Sequence, residues 1–149
     1  MITIQRSRDK FPRVNETLIE MAVKNTLAYF EKPFVDITIQ LTDDDEITEL
    51  NRVFLDEAKT TDVLAFNQDF TDPETNKYYL GDIIISIERA AAQAPKYNLT
   101  LDQECAYLAI HGTLHLMGYD HYEASEKDEM WKIQDKIFHE TIEGFQEKS

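Results

Sequence analysis

His111-Gly112-Thr113-Leu114-His115-Leu116-Met117-Gly118-Tyr119-Asp120-His121 carries three of the chain's four histidines at the offsets HxxxHxxxxxH. At ~100° and ~1.5 Å per residue, histidines four apart fall one turn apart on the same helical face, so both imidazoles project the same way. Gly118 lacks a Cβ and suits the left-handed position that ends a helix. A reversal there brings His121 back towards the pair as a third nitrogen ligand. Three neutral imidazoles leave one tetrahedral position open, as catalytic zinc sites do. The expected centre is therefore one metal ion per chain, zinc first, with nickel, copper and iron also suited to imidazole, held by His111, His115 and His121 at the end of a helix.

The rest of the chain bounds what such a centre can serve. Its 149 residues fit one domain with a real core, and 30% charged residues exclude disordered and membrane-spanning classes. No apolar run approaches the ~20 residues needed to cross a bilayer. The start, Met1-Ile2-Thr3-Ile4-Gln5, lacks a basic segment followed by an apolar one, so a cytoplasmic location is expected. Cys105 is the single cysteine, which leaves no internal disulfide, and no disulfide-linked partner is expected. A net charge of -14 argues against nonspecific phosphate binding over the whole surface, so any RNA contact must be local. Arg6, Arg8, Lys10 and Arg13 cluster near the start, either as such a contact or as a solvated edge.

Patterning predicts strands alternating with helices, then helices alone. Ile2–Gln5 alternates as a short strand, and Asn15 caps a first helix that reaches about Glu31, with Pro33 closing it. Phe34–Leu41 is the clearest strand. Thr42 or Asp43 caps a second helix whose first turn holds Asp44, Asp45 and Glu46, where carboxylates meet the positive end of the macrodipole. Residues 56–61 form a loop, Val63–Phe66 a short strand, and Asp69–Asn76 a turn. Tyr79–Ser86 is a β-branched strand, and Ser86 caps a helix over Ile87–Ala94 that Pro95 ends or kinks. Thr100 caps the histidine helix, Leu101 to about Met117. A last helix runs from about Ser125 to Ile142 with Met130, Ile133, Ile137 and Trp131 as its inward candidates. The expected fold is a single α+β domain with a small mixed sheet of about four strands and about five helices.

Helix phase sorts the neighbours of the histidines. Cys105 points ~120° away from His111 and reads as core. Glu104 shares the face but lies ~10 Å up the axis, too far to bind the same ion. His139 reads as an exposed residue of the last helix. Asp120, beside His121, is placed to orient a ligand or accept a proton, or equally to cap the loop. Bound zinc lowers the pKa of water from ~15.7 to about 7, which makes hydrolysis the natural reaction class. Metzincin proteases share these offsets as HExxHxxGxxH, but Gly112 replaces their general-base glutamate, which speaks against peptide hydrolysis.

The stretch reads HGxLHLxGYDH and resembles the signature of the YbeY family of bacterial metal-dependent endoribonucleases. Leu50-Asn51 followed by Thr61-Asp62-Val63-Leu64-Ala65-Phe66 is similar to that family's LN and TDVLSF pattern, and Gly81-Asp82-Ile83-Ile84-Ile85-Ser86 to its GDI-I-S strand. The resemblance implies a zinc-bound α+β nuclease acting in ribosomal RNA maturation, especially at the 3′ end of the small-subunit RNA, and in ribosome quality control. It makes ribosomal RNA and small-subunit proteins the expected partners. It also implies that Thr61 and Asp62 line the cleft beside the three histidines. One position departs from the pattern: where the family commonly has an arginine, Phe54 is followed by Leu55. A guanidinium can pair bidentately with phosphate and leucine cannot. Arg52 and Lys59 are the nearby cations left to substitute. Two other readings stay open, a zinc hydrolase of another substrate such as peptides and a ribosome-associated factor whose metal is mainly structural.

Overall fold

A computed structural model describes residues 1–7, 13–32, 34–55, 61–119 and 124–148. Its elements, in chain order, are β1 (Ile2–Arg6), α1 (Glu16–Tyr29), β2 (Val35–Thr42), α2 (Asp44–Leu55), β3 (Val63–Thr71), β4 (Tyr78–Ser86), α3 (Ile87–Gln93), a 3-10 turn (Ala94–Tyr97), α4 (Leu101–Leu116) and α5 (Ala124–Lys148). The strands form one mixed sheet in the order β1-β2-β4-β3, with β1, β2 and β4 parallel and β3 antiparallel to β4. This is the expected α+β domain with four strands and five helices.

Local chemistry explains where elements begin. Asn15 accepts the Leu18 N–H to start α1, and Asp43 accepts the Glu46 N–H at 2.8 Å to start α2. The acidic run after β2 is thus helix-capping chemistry. Ser86 accepts the Arg89 N–H to start α3, and Thr100 with Gln103 forms a capping box at the start of α4.

Alternation along the central strands sets the layers. In β2, Val35, Ile37, Ile39 and Leu41 are buried on one face, joined from β4 by Ile83 and Ile85, and α1 and α4 cover that face with Ile19, Val23, Leu27, Cys105, Leu108 and Ala109. Ile84 points to the opposite face, where Leu64 of β3 lies beside it and Ile47 of α2 covers it. The other side of α4 packs Ala106, Ile110 and Leu114 against Leu18 and Ala22 of α1 and Met130, Ile133 and Ile137 of α5. The histidine helix is therefore enclosed by the sheet on one side and by two helices on the other.

Three expectations need correction. β3 continues to Thr71 instead of stopping at Phe66, and the hairpin turn moves to residues 72–77. The antiparallel ladder joins backbone groups whatever the side chains are, so polar Asn67 pairs with Gly81, and the strand resumes pairing at Phe70 after an irregularity at Gln68 and Asp69. α5 runs six residues past Ile142, to Lys148. Trp131 is 40% exposed while Met130, Ile133 and Ile137 are buried. Pro33, the loop over 56–60, Asp120 and His121 lie outside the described residues.

Candidate metal centre and its cleft

α4 ends as the sequence requires. Gly118 has φ +98°, its N–H reaches the His115 carbonyl at 3.0 Å, and the Tyr119 N–H reaches the Leu114 carbonyl at 3.1 Å. That reciprocal pair is a Schellman motif, which satisfies the last carbonyls and ends the helix.

Within the last two turns of α4, the half-buried His111 and His115 set their Nε2 atoms 3.0 Å apart. Two zinc–nitrogen bonds of ~2.0–2.1 Å at a tetrahedral angle need a separation of ~3.3–3.4 Å, so the pair fits one ion with a small adjustment. His111 Nδ1 lies 3.1 Å from Oε1 of Gln134, a residue of α5 with no exposed surface. A carbonyl oxygen only accepts, so this contact puts the proton on Nδ1 and leaves the Nε2 lone pair facing His115. Neutral imidazoles with one tautomer fixed from behind are the donor set zinc takes. His121, the expected third ligand, lies outside the described residues, and among the described residues no three His, Cys, Asp or Glu side chains converge as a complete metal site.

Gly112 faces the sheet. A Cβ there would come within 2.8 Å of Ile83 Cγ2 and 3.2 Å of Ile83 Cγ1. The position that is a glutamate in metzincins is here a point of close approach between α4 and β4, with no room for a longer side chain.

The histidines open onto a cleft of about 710 Å³ whose other wall includes Leu55, Thr61 and Asp62, with Gly118 and Tyr119 at its end. Thr61 and Asp62 thus line the same cleft as His111 and His115. The Asn67 side chain donates to the Leu116 carbonyl at 2.9 Å, tying the end of α4 to β3 and holding the two walls together. Leu55 is 51% exposed on the rim. Arg52 is ion-paired with Glu49 on the exposed face of α2, Nε to Oε2 3.1 Å. Lys59 and Asp120 lie outside the described residues.

Behind Asp62, the Gln93 amide donates to Asp62 Oδ2 and to Glu104 Oε1, each at 3.0 Å. Glu104 is buried, and burial raises its pKa; the Gln93 bond works the other way, and the nearby Asp62 charge adds to the rise. Cys105, one residue on, is fully buried in the core as its helix phase predicts, with its thiol pushed up to about 12 chiefly by burial. His139 is exposed.

Gln134 and Gln93 are the site residues that sequence reasoning missed. Gln134 did leave a signal: it lies four after Met130 and three before Ile137, so it is a polar residue inside the buried stripe of α5. Gln93 left none, because its partners lie 31 and 11 residues away.

Comparison with known proteins shows the family. The family model described as Endoribonuclease YbeY matches residues 1–142. A protein of Persephonella marina named Endoribonuclease YbeY is 41% identical over 127 residues, covering 84% of this chain and 82% of its own length. One of the same name from Sulfurihydrogenibium sp. is 49% identical over 109 residues, covering 70% and 68%. The solution structure of TM1509 from Thermotoga maritima superposes with a TM-score of 0.66 at 25% identity, covering 99% of this chain and 93% of that one. The family model spans both walls of the cleft and the helix that carries the histidine pair, and on that footing the chain belongs to the Endoribonuclease YbeY family.

Proposed function

We propose that this chain is a zinc-dependent endoribonuclease that cuts single-stranded RNA in ribosomal RNA processing, at the 3′ end of the small-subunit RNA, and in ribosome quality control. The observation that carries it is the His111–His115 pair, 3.0 Å apart at Nε2, lining one open cleft with Thr61 and Asp62 in a chain of this family. His111, His115 and His121 would hold the ion, which supplies Lewis acidity and lowers the pKa of water towards ~7. Gln134 holds His111 in the ligating tautomer. Asp62, fixed by Gln93, is the carboxylate positioned to accept a proton from the attacking group, and Thr61 and Asp120 help line or orient the site. Arg52 and Lys59 are the candidate phosphate contacts; for Arg52 this requires exchange of its Glu49 partner for the RNA backbone.

The net charge of -14 supports delivery of the RNA by basic small-subunit proteins in the cytoplasm over capture of naked RNA. No helix among the described residues is long and apolar enough to cross a membrane. The test is incubation of the zinc-loaded protein with a single-stranded fragment of the small-subunit RNA 3′ end, with and without chelator. The expected result is endonucleolytic cleavage that chelation and His115→Ala both abolish. Cleavage indifferent to both, or none at all, sinks the proposal. A second reading, a ribosome-associated factor with a structural metal, draws on Leu55 at the rim, because the cleft lacks the family's usual guanidinium there.

A further inference from the structure

A second cavity, of about 350 Å³, adjoins the histidine cleft, and His111 and Asp62 line both. It lies between α4 and α5 and runs from His111 to Glu104, seven residues apart on one face of α4 and so ~10 Å along its axis. Its size falls within the range of small-ligand sites, ~300–1,000 Å³.

Two features of its lining go beyond packing. Trp131, 40% exposed, offers a ring to the cavity, backed by Tyr107 at a centroid distance of 6.4 Å. Two polar atoms of buried side chains also lack a hydrogen-bond partner among the described residues: Nε2 of Gln134 and Oε2 of Glu104. Gln134 is 0% and Glu104 2% exposed. Each uses its other polar atom on a neighbour, Gln134 Oε1 on His111 and Glu104 Oε1 on Gln93, so the orientation of both groups is fixed. A buried donor and a buried acceptor left open in a cavity are costly unless something occupies them.

We propose that this cavity is a subsite for one unstacked nucleobase of the RNA, next to the bond that is cut. Trp131 would be its stacking platform, and the Gln134 amide and Glu104 carboxylate would contact its edge. This rests on the endoribonuclease reading and deepens it. An aromatic face takes any base, whereas an N–H donor and a carboxyl oxygen discriminate between base edges. Only a base extruded from a helix reaches such a pocket, so the same feature selects single-stranded RNA.

Trp131 is the only tryptophan in the chain, so its emission reports occupancy without any cleavage. The zinc-loaded protein is titrated with each of the four nucleoside monophosphates and with ribose 5-phosphate. Saturable change with nucleotides and none with ribose 5-phosphate is expected, with Glu104→Gln altering the order of preference among the bases. In cleavage of a short oligonucleotide, Trp131→Ala is expected to raise KM by about 5- to 150-fold, the loss of one base–aromatic stack. Trp131→Phe should restore most of it, which separates stacking from a folding defect. An abasic nucleotide beside the cut should reproduce the Trp131→Ala effect in wild type. Equal responses to nucleotides and ribose 5-phosphate, or unchanged KM in Trp131→Ala with unchanged preference in Glu104→Gln, would overturn the subsite and leave a cavity that holds water only. RNA cleavage persisting in that case keeps the endoribonuclease reading intact, whereas nucleotide binding with no RNA cleavage supports the subsite and removes that reading.

Discussion

At the scale of single residues, the proposed centre would depend on groups that never touch the ion. Gln134 holds one imidazole by one hydrogen bond from inside the core, and partners of that kind are worth ~10–100-fold in metal affinity. Gln134→Leu is expected to weaken zinc by that factor in chelator competition, with little change in the helical circular dichroism. Glu104 gives a pH signature. Its pKa is raised in the fold, so its contribution to stability is full below the ordinary carboxylate value of ~4.3 and is lost as pH rises through the shifted value. Glu104→Gln removes that loss, so its Tm relative to wild type should climb as pH rises above ~4.3; a pH-independent difference would contradict the shift. Leu55 supplies the third test. Leu55→Arg places a guanidinium on the cleft rim, and faster RNA cleavage, measured as kcat/KM, is expected because phosphate pairing favours the developing charge.

At the scale of elements, the turn at the end of α4 is the feature on which the proposed third ligand would depend. Gly118 sits at φ +98°, and a side chain there strains the turn although nothing crowds the space around it. Gly118→Ala should cost about 1–2 kcal/mol of stability and lower zinc affinity together, read by thermal denaturation and chelator competition. A loss of stability with unchanged zinc affinity would detach the reversal from the metal. This turn was legible in the sequence, as were the caps at Asn15, Ser86 and Thr100, because each depends on a short stretch of local chemistry. The polar end of β3 was not, since Asn67 pairs with Gly81 and Phe70 with Tyr79 around an irregularity at Gln68 and Asp69 that no local pattern encodes. The strand order was equally hidden, and so was the Gln93 bridge between Asp62 and Glu104, because such contacts follow from tertiary placement. The histidine pair was readable because four residues of helix suffice to build it.

At the scale of the whole molecule, the fold places the site where several segments meet: the last turns of α4, the approach to β3, the end of α3 and the buried face of α5. Ligand binding to such a site stabilises the entire fold by mass action. Zinc at ~1,000 times its Kd should add about 4 kcal/mol, seen as a Tm that rises with zinc concentration and falls back on chelation. A Tm indifferent to zinc would mean that the native chain has no specific site for it. The His111–His115 arrangement also has a consequence in time. The parallel ladders pair residues about 35 or more positions apart, so the sheet forms slowly and late in folding. The histidine pair needs only one helical turn, which forms on the sub-microsecond scale. In a refolding chain the histidine pair of a nascent α4 would therefore be set before Gln134 or Asp62 arrives, so the proposed ligands precede the cleft they serve.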